Sequence, residues 1–222
     1  MRYHTTLLMS HFVTHDVKRF VLERPEGFSF TPGQGIELVI DEPRWRDEKA
    51  RPFTPTGHPD DRVLEFTIKR YADHGGVTDR LHSLPPGTKL LITEPFGAIH
   101  YKGPGIFLAA GAGITPFLAI FRQQARQGGL SGSRLLFSNK TPADVICEKE
   151  LRHYFGEAAQ FTCTRVSGPG YGEGRIDQPY LEQWLTDRSG YFYVCGPDLF
   201  VEEINAALRN MGIKAESLVF EQ

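Results

Sequence analysis

The sequence IFLAAGAGITP occupies residues 106–116, and its character changes at residue 111. Its first five residues, 106–110, form a continuous apolar run, which is typical of a parallel strand buried on both faces. The glycines at 111 and 113 let the backbone turn tightly and pass close to a ligand. Pro116 suits the first turn of a helix, where its missing N–H costs nothing. The stretch therefore predicts a buried strand, a glycine turn and a helix, in that order.

From this stretch to the C-terminus, apolar strands alternate with helical segments. We predict strands at 134–138, 161–166, 191–194 and 217–220, and helices at 116–127, 148–154, 178–186 and 198–211. Such alternation indicates a doubly wound α/β domain, a parallel sheet with helices on both faces. A glycine turn that opens a helix there is a candidate pyrophosphate site, although the pattern alone also fits a plain strand-to-helix turn.

The first half of the chain consists of short strands separated by glycine and proline turns. We predict strands at 17–22, 35–40, 63–69 and 89–94, and one helix at 77–84. This pattern is typical of an antiparallel β-barrel or sandwich. We therefore divide the chain into a β domain, residues 1–101, and an α/β domain, residues 102–222.

Composition narrows the classes of protein to consider. The chain has 222 residues and a formal net charge of -2, so no global basic field favours nucleic acid. We find no signal peptide and no apolar run long enough to span a membrane. The three cysteines are widely separated, which argues against a disulfide framework, a zinc site or an iron–sulfur cluster. We assign no metal, and we expect the reducing cytoplasm.

The β domain carries two polar motifs that suit a phosphorylated, ring-containing ligand. Arg51-Pro52-Phe53-Thr54 combines a fixed cation, an aromatic plane and a hydroxyl. An arginine can bind a phosphate through two N–H groups at once. Gly75-Gly76-Val77-Thr78 opens the only predicted helix of this domain. Ile68, Lys69 and Arg70, at the end of the strand 63–69, are further candidates. Taken singly, the motifs also fit an ordinary loop, a capped helix and exposed charges at a strand end.

A second strand-to-helix turn in the α/β domain is Cys195-Gly196-Pro197-Asp198. Turns at the carboxyl ends of parallel strands line the ligand crevice of such sheets, so Cys195 is expected to face it. The alternative is that Cys195 is a small buried hydrophobic residue, as most free cysteines are.

The order of these motifs resembles the ferredoxin–NADP reductase family from about residue 14 to residue 221. The family's R-x-Y-[ST] pattern is present as Arg51 to Thr54, with Phe53 in the tyrosine position. Its G-x-x-[ST] turn is similar to Gly75 to Thr78. Its nicotinamide motifs match Gly111-Ala112-Gly113-Ile114-Thr115-Pro116 and Cys195 to Pro197. At the end, Glu221 matches the family's glutamate, but Gln222 replaces the usual aromatic residue.

The resemblance implies an FAD-binding β-barrel followed by a nicotinamide-nucleotide domain, with hydride passing from NADPH or NADH to FAD. FMN is a less favoured alternative. Arg51 and the backbone at 76–78 are then expected to bind the flavin phosphates, and Phe53 to pack beside the flavin or its ribityl chain. Thr54 is expected to bond near flavin N5, and Cys195 and Glu221 to lie by the nicotinamide. The implied partner is a soluble one-electron carrier, flavodoxin or ferredoxin.

Two questions stay open at this point. Asn139, Lys140, Thr164, Arg165 and Arg175 form a basic cluster where a 2′-phosphate would bind, which favours NADPH over NADH. The same sequence also fits an oxygenase-linked NADH reductase component, or a flavin electron-transfer or sensor subunit without turnover.

Overall fold

The computed structural model describes residues 2–46, 50–97 and 99–220. Glu221, which we predict at the nicotinamide pocket, lies outside these ranges. Within them the chain forms two six-stranded sheets, the first built from residues up to 93 and the second from residue 105 onward. The division at residue 101 falls in the connection between the sheets and stays a prediction.

The first sheet is antiparallel. Its strands are β1 (Arg2–Phe12), β2 (Val17–Glu23), β3 (Ile36–Ile40), β4 (Arg51–Phe53), β5 (Val63–Lys69) and β6 (Lys89–Thr93), and the helices α1 (Pro43–Arg46) and α2 (Val77–His82) accompany them. The spatial order is β4-β3-β6-β1-β2-β5. Just beyond β4, Pro55 bridges to Phe66 of β5, so the two edges of the sheet approach each other. The predicted antiparallel barrel is confirmed.

Strand β1 lies at the centre of this sheet, yet no strand before residue 17 is predicted from the sequence. It pairs with β2 on one side and with β6 on the other. Its sequence, RYHTTLLMSHF, is largely polar, and the register shifts at a bulge between Leu7 and Met9. The bulge interrupts the alternation of apolar and polar residues on which strand prediction depends.

The second sheet is parallel and has helices on both faces. Its strands are β7 (Gly105–Ala110), β8 (Arg134–Asn139), β9 (Ala159–Cys163), β10 (Gly172–Glu173), β11 (Tyr191–Cys195) and β12 (Leu218–Phe220), and its helices are α3 (Thr115–Arg126), α4 (Glu148–Phe155), α5 (Gln178–Trp184) and α6 (Asp198–Asn210). The spatial order is β10-β9-β8-β7-β11-β12. Phe107 packs with α3 and α4, whereas Leu108, the next residue, packs with α5 and α6. The doubly wound α/β domain is confirmed.

One predicted strand is displaced. We predict a strand at 161–166, but β9 ends at Cys163. The backbone N–H groups of Thr164 and Arg165 bond to the carbonyls of Asn139, the last residue of β8, and of Lys140, the residue after it. Because β8 has itself ended there, these residues form a turn at the carboxyl edge of the sheet rather than a longer strand.

The two domains share apolar packing. Val17 of the β domain and Ile99 of the connection belong to the same buried cluster as Phe117 and Phe121 of α3. Among the helices of the described ranges, none has the length and apolar character that crossing a membrane requires.

Candidate functional site

A cavity of about 800 Å³ opens between the two domains. Its walls contain the predicted site residues Pro52, Phe53, Thr54, Ile68, Lys69, Thr78, Gly111, Ala112, Gly113, Thr115, Pro116, Asn139, Lys140, Cys195, Gly196 and Pro197. Motifs that are up to about 140 positions apart in the sequence therefore meet around one space, because the end of β5 and the carboxyl edge of the parallel sheet face each other.

The β domain supplies a wall of aromatic and hydroxyl groups. Pro52, Phe53 and Thr54 leave β4 along the cavity, and Thr54 is only 9% exposed. Opposite them, β5 contributes Thr67, which is 5% exposed and is hydrogen-bonded to Thr56. A ring, flat and apolar on its faces and polar at its edge, suits such a wall.

The glycine turn of the α/β domain begins as a 3₁₀ turn, Gly111–Ile114, and continues into α3 with Pro116 in its first helical turn, as predicted. Gly111 has a φ of 52° and open space where a side chain would stand. Its backbone thus forms a cradle that a ligand can approach, and the N-terminus of α3 directs N–H groups toward it.

Gly113 has a different role from the one that the sequence suggests. A Cβ atom there would overlap the carbonyl of Cys195 and lie 2.6 Å from the Cα of Gly196. The close approach that requires glycine is therefore between the two turns of the site, rather than between this residue and a ligand. Gly196 is constrained in turn, since its Cβ would lie 2.7 Å from the ring of Phe200.

Cys195 lies at the end of β11, in register with Ala109 of β7, and is 6% exposed. It lines the cavity, as predicted, close to the turn that holds Gly113.

A polar group lies at the ends of β8 and β9. Asn139, Lys140, Thr164 and Arg175 line the cavity, whereas Arg165 is exposed and is absent from the cavity wall. Asn139 is 5% exposed, and within the described residues its amide nitrogen and oxygen have no hydrogen-bond partner. Because a buried amide without partners is costly, a polar ligand that bonds to it is favoured here. The residues present thus fit a dinucleotide.

Arg175 does not stand alone as a cation. Its Nη2 lies 2.8 Å from a carboxylate oxygen of Glu203, on α6, which also lines the cavity. Glu203 is not identified from the sequence, because nothing in the pattern of an amphipathic helix indicates which of its glutamates faces the end of a strand.

A group of polar side chains at the rim on the β side reaches the α/β domain. Lys69 Nζ lies 2.6 Å from Asp16, and His15 lies within 3.8 Å of both Asp16 and Asp144. Burial raises the pKa of the Asp16 carboxyl, but the hydrogen bond and the charge of Lys69 outweigh it and hold that pKa below its usual value. Lys69 is therefore held at the rim by a carboxylate that stays ionised at neutral pH.

Other predicted residues lie outside the cavity wall, namely Arg51, Arg70, Gly75, Gly76, Val77, Ile114, Arg165 and Asp198. Arg70 is in an ion pair with Asp79 at 2.6 Å, which competes with a phosphate for its guanidinium. The side chains of Val77 and Ile114 are buried in the domain cores, so any contact with a cofactor is left to their backbones.

Three cavity residues of the β domain, Gly35, Thr67 and Tyr71, are not among the site residues predicted from the sequence. Thr67 is a polar residue at a buried position of β5, and Tyr71 is an exposed aromatic residue just beyond Lys69 and Arg70. The Tyr71 backbone N–H donates to Thr78 Oγ1 at 3.3 Å, which connects the backbone at Tyr71 to the glycine turn 75–78. A polar residue inside an apolar strand was the available signal for Thr67.

Two domain families match the chain. The oxidoreductase FAD-binding domain matches residues 4–101, and the oxidoreductase NAD-binding domain matches residues 107–206. These ranges hold the β-barrel and most of the α/β domain, respectively.

Similar proteins are reductases. The ferredoxin–NAD(P)+ reductase component of the naphthalene 1,2-dioxygenase system of Pseudomonas putida is 26% identical over 92% of this chain and 64% of its own length. NADH-cytochrome b5 reductase 1 of Coccidioides immitis is 30% identical over 93% of this chain and 74% of its own length. The chain thus spans less than two thirds of the first relative.

The fold has close counterparts among solved structures. The flavohem-like FAD/NAD binding domain of nitric oxide dioxygenase from Vibrio cholerae superposes with a TM-score of 0.87 at 21% identity, covering 98% of this chain and 97% of that one. The two matched domains, the relatives and the shared fold establish that the chain belongs to the ferredoxin–NADP reductase family of FAD- and NAD(P)-binding oxidoreductases.

Proposed function

We propose that the chain takes hydride from NADPH or NADH onto FAD and passes electrons singly to a separate carrier protein. The observation that carries this proposal is the single cavity in which the flavin motif, Pro52 to Thr54, faces the nicotinamide motifs at 111–116 and 195–197. Bound FAD supplies the hydride-accepting chemistry, and the protein orients and tunes it.

The residues then have distinct tasks. Phe53 covers a flat part of the flavin, and Thr54 offers a hydroxyl to its polar edge, where N5 lies. Gly111 and the N-terminus of α3 receive the nucleotide pyrophosphate. The buried Cys195 lies beside the nicotinamide and limits how far the ring enters the cavity. Arg51, exposed beside Pro52, binds the FAD pyrophosphate at the mouth of the cavity.

The carrier that we favour is a ferredoxin or a flavodoxin. The name of the Pseudomonas putida relative, a ferredoxin–NAD(P)+ reductase component of a dioxygenase system, supports a ferredoxin-type acceptor and also the second candidate, an oxygenase-linked reductase component. Reduction of a ferredoxin coupled to an oxygenase distinguishes the two. We place the protein in the cytoplasm, because the wide separation of its three cysteines in the sequence argues against a disulfide framework.

The purified protein is expected to show flavin absorbance that bleaches when NADPH or NADH is added without oxygen. Mass measurement of the extracted cofactor distinguishes FAD from FMN, and ferricyanide reduction tests turnover. A protein that carries flavin but is not bleached by either nucleotide would contradict the proposed function and favour an electron-transfer or sensor subunit.

We expect kcat/KM to be higher for NADPH, because Lys140 and Arg175 lie just beyond β8 and β10, near the expected 2′-phosphate position. Glu203 opposes this preference, since its carboxylate neutralises Arg175. Comparison of kcat/KM for the two nucleotides in the wild type and in Glu203→Gln measures both effects. A wild-type preference for NADH would show that the cations serve another purpose.

Replacing Cys195 with alanine is expected to slow flavin reduction about tenfold, because removing the sulfur leaves a gap beside the nicotinamide and loosens its placement. The limiting rate in stopped flow is the measurement. Cys163, buried at the end of β9 and absent from the cavity wall, supplies the matched control, Cys163→Ala. An unchanged rate in Cys195→Ala would leave that cysteine a packing residue only.

A further inference from the structure

Helix α3 connects the two halves of the site. It starts at the nicotinamide turn, and two turns later Arg122 points from it toward the β domain. The Arg122 side chain is 14% exposed. Its Nη1 donates to the Thr56 carbonyl at 2.6 Å and to Glu65 of β5 at 2.5 Å. Its Nε and Nη2 donate to both carboxylate oxygens of Glu150, on α4, at 2.6 and 2.8 Å.

The contacts continue from Arg122 to the flavin wall. Thr56 Oγ1 donates to the Glu65 carboxylate at 3.0 Å, and it lies 3.1 Å from Thr67 Oγ1. Thr67 lines the cavity on β5, beside Ile68 and Lys69. Only one residue, Pro55, separates Thr56 from Thr54 in the chain. A single guanidinium is thus bonded to both segments of the β domain that form the flavin wall.

The charges in this interface keep the link intact. Burial alone lowers the pKa of the Arg122 guanidinium, but hydrogen bonds and charges from Glu150 and Glu65 outweigh it and raise that pKa above its ordinary value. Burial likewise raises the pKa of Glu150, but Arg122 holds it below its usual value. Arg122 and Glu150 therefore stay ionised throughout the neutral range, and the guanidinium that reaches the β domain keeps its charge.

We propose that Arg122 is a positioning residue for hydride transfer, which holds the nicotinamide turn at the start of α3 at a fixed distance from the flavin wall. The inference rests on the proposed function. The physical reason is that hydride transfer depends steeply on the distance between the reacting atoms, so that a displacement of about 1 Å costs on the order of a hundredfold in rate. Arg122 lies outside the cavity wall. It acts on the distance between the two rings through its bonds to Glu65 and Thr56 and through the position of helix α3.

The test is stopped-flow reduction of the flavin in Arg122→Gln at saturating nucleotide. We expect the limiting rate to fall about tenfold or more, while the dissociation constant for the nucleotide changes less than about threefold, which is the signature of lost alignment rather than lost binding. The charge-transfer absorbance of reduced flavin with oxidised nucleotide should weaken, because it depends on ring overlap. Bound FAD content should stay that of the wild type.

The chain supplies matched controls. Arg126 lies one helical turn further along α3 and pairs with Asp61 across the same interface at 3.3 Å, but its side chain is 57% exposed. We expect Arg126→Gln to leave the rate unchanged, since exposed ion pairs contribute little. Arg122→Lys keeps the charge but loses the planar guanidinium fork that bonds to both carboxylate oxygens of Glu150, and an intermediate rate is expected.

Removing Arg122 leaves its two former carboxylate partners bonded to other groups, which favours a folded variant. Glu65 retains Thr56 and Arg19, and Glu150 retains the Tyr154 hydroxyl. If Arg122→Gln still fails to fold, Glu65→Gln removes the same interdomain charge pair with little change of shape, and the same loss of rate is expected. A rate within twofold of the wild type in whichever of these variants folds overturns the proposal, as does an equal loss in Arg126→Gln. If the wild type itself is not reduced, the proposed function fails instead.

Discussion

Replacing Gly113 with alanine is expected to reduce the rate of flavin reduction by nicotinamide at least about a hundredfold, with FAD still bound. A Cβ atom at this position cannot coexist with the carbonyl of Cys195, so the two turns of the nucleotide site must separate. Overpacking of this kind also costs about 1–3 kcal/mol of stability. The measurements are the limiting rate in stopped flow, the flavin content, and the midpoint of thermal unfolding.

Gly111→Ala is the matched comparison, because Gly111 belongs to the same turn but has open space on its side-chain face. Its φ of 52° makes alanine strained there by about 1 kcal/mol, without an overlap. We therefore expect a milder loss than in Gly113→Ala. Equal rates in the wild type and Gly113→Ala would show that the turns have room to separate without disturbing the site.

Replacing Arg51 with alanine is expected to weaken FAD binding by about ten- to a hundredfold, because a charge-assisted hydrogen bond contributes about 1.5–3 kcal/mol. Arg51 starts β4 and is exposed, and its neighbour Pro52 lines the cavity. We propose that the Arg51 side chain binds the pyrophosphate at the mouth. Equilibrium titration of the apoprotein with FAD, followed by flavin fluorescence, gives the affinity.

Two further variants show how the change in FAD affinity should be interpreted. Arg51→Lys keeps the charge but loses the two parallel N–H donors, and it should recover part of the affinity. Arg62→Ala removes another exposed arginine of the same domain, and no change is expected. Undiminished affinity in Arg51→Ala would mean that another group holds the phosphates.

Most of the α/β domain was predictable, because its main strands are continuous apolar runs and its turns contain glycine or proline. The two-residue strand β10 and the end of β9 were not predicted. The stretch 106–116 became β7, a 3₁₀ turn and α3 as expected. The β domain was predictable only as a class. Its central strand, β1, is polar and bulged, and the barrel closes through a single bridge, Pro55 to Phe66, that no local pattern indicates.

Site residues that lie in turns were predictable from the sequence, whereas some site residues within strands and helices were not. Turn residues such as Gly111 and Cys195 stand out because few residue types suit those backbones. Glu203 does not, since it lies within a helix and only the fold directs it to the cavity. Thr67 is marked as a polar residue inside an apolar strand, but that pattern does not indicate that it faces a ligand. The Arg122–Glu65 pair spans 57 positions and depends on how two domains pack, which the sequence alone does not specify.

The central place of β1 has a consequence for how the protein is made. Strand β2 follows it within a few residues, but its other neighbour, β6, is synthesised only at residues 89–93. At about 5–20 residues per second, one edge of β1 waits several seconds on the ribosome with its N–H and C=O groups unpaired. An open strand edge is a template for pairing with other chains, and the part of β1 that awaits β6 is residues 2–6. We therefore expect nascent chains to be most exposed to such pairing in the interval before β6 emerges.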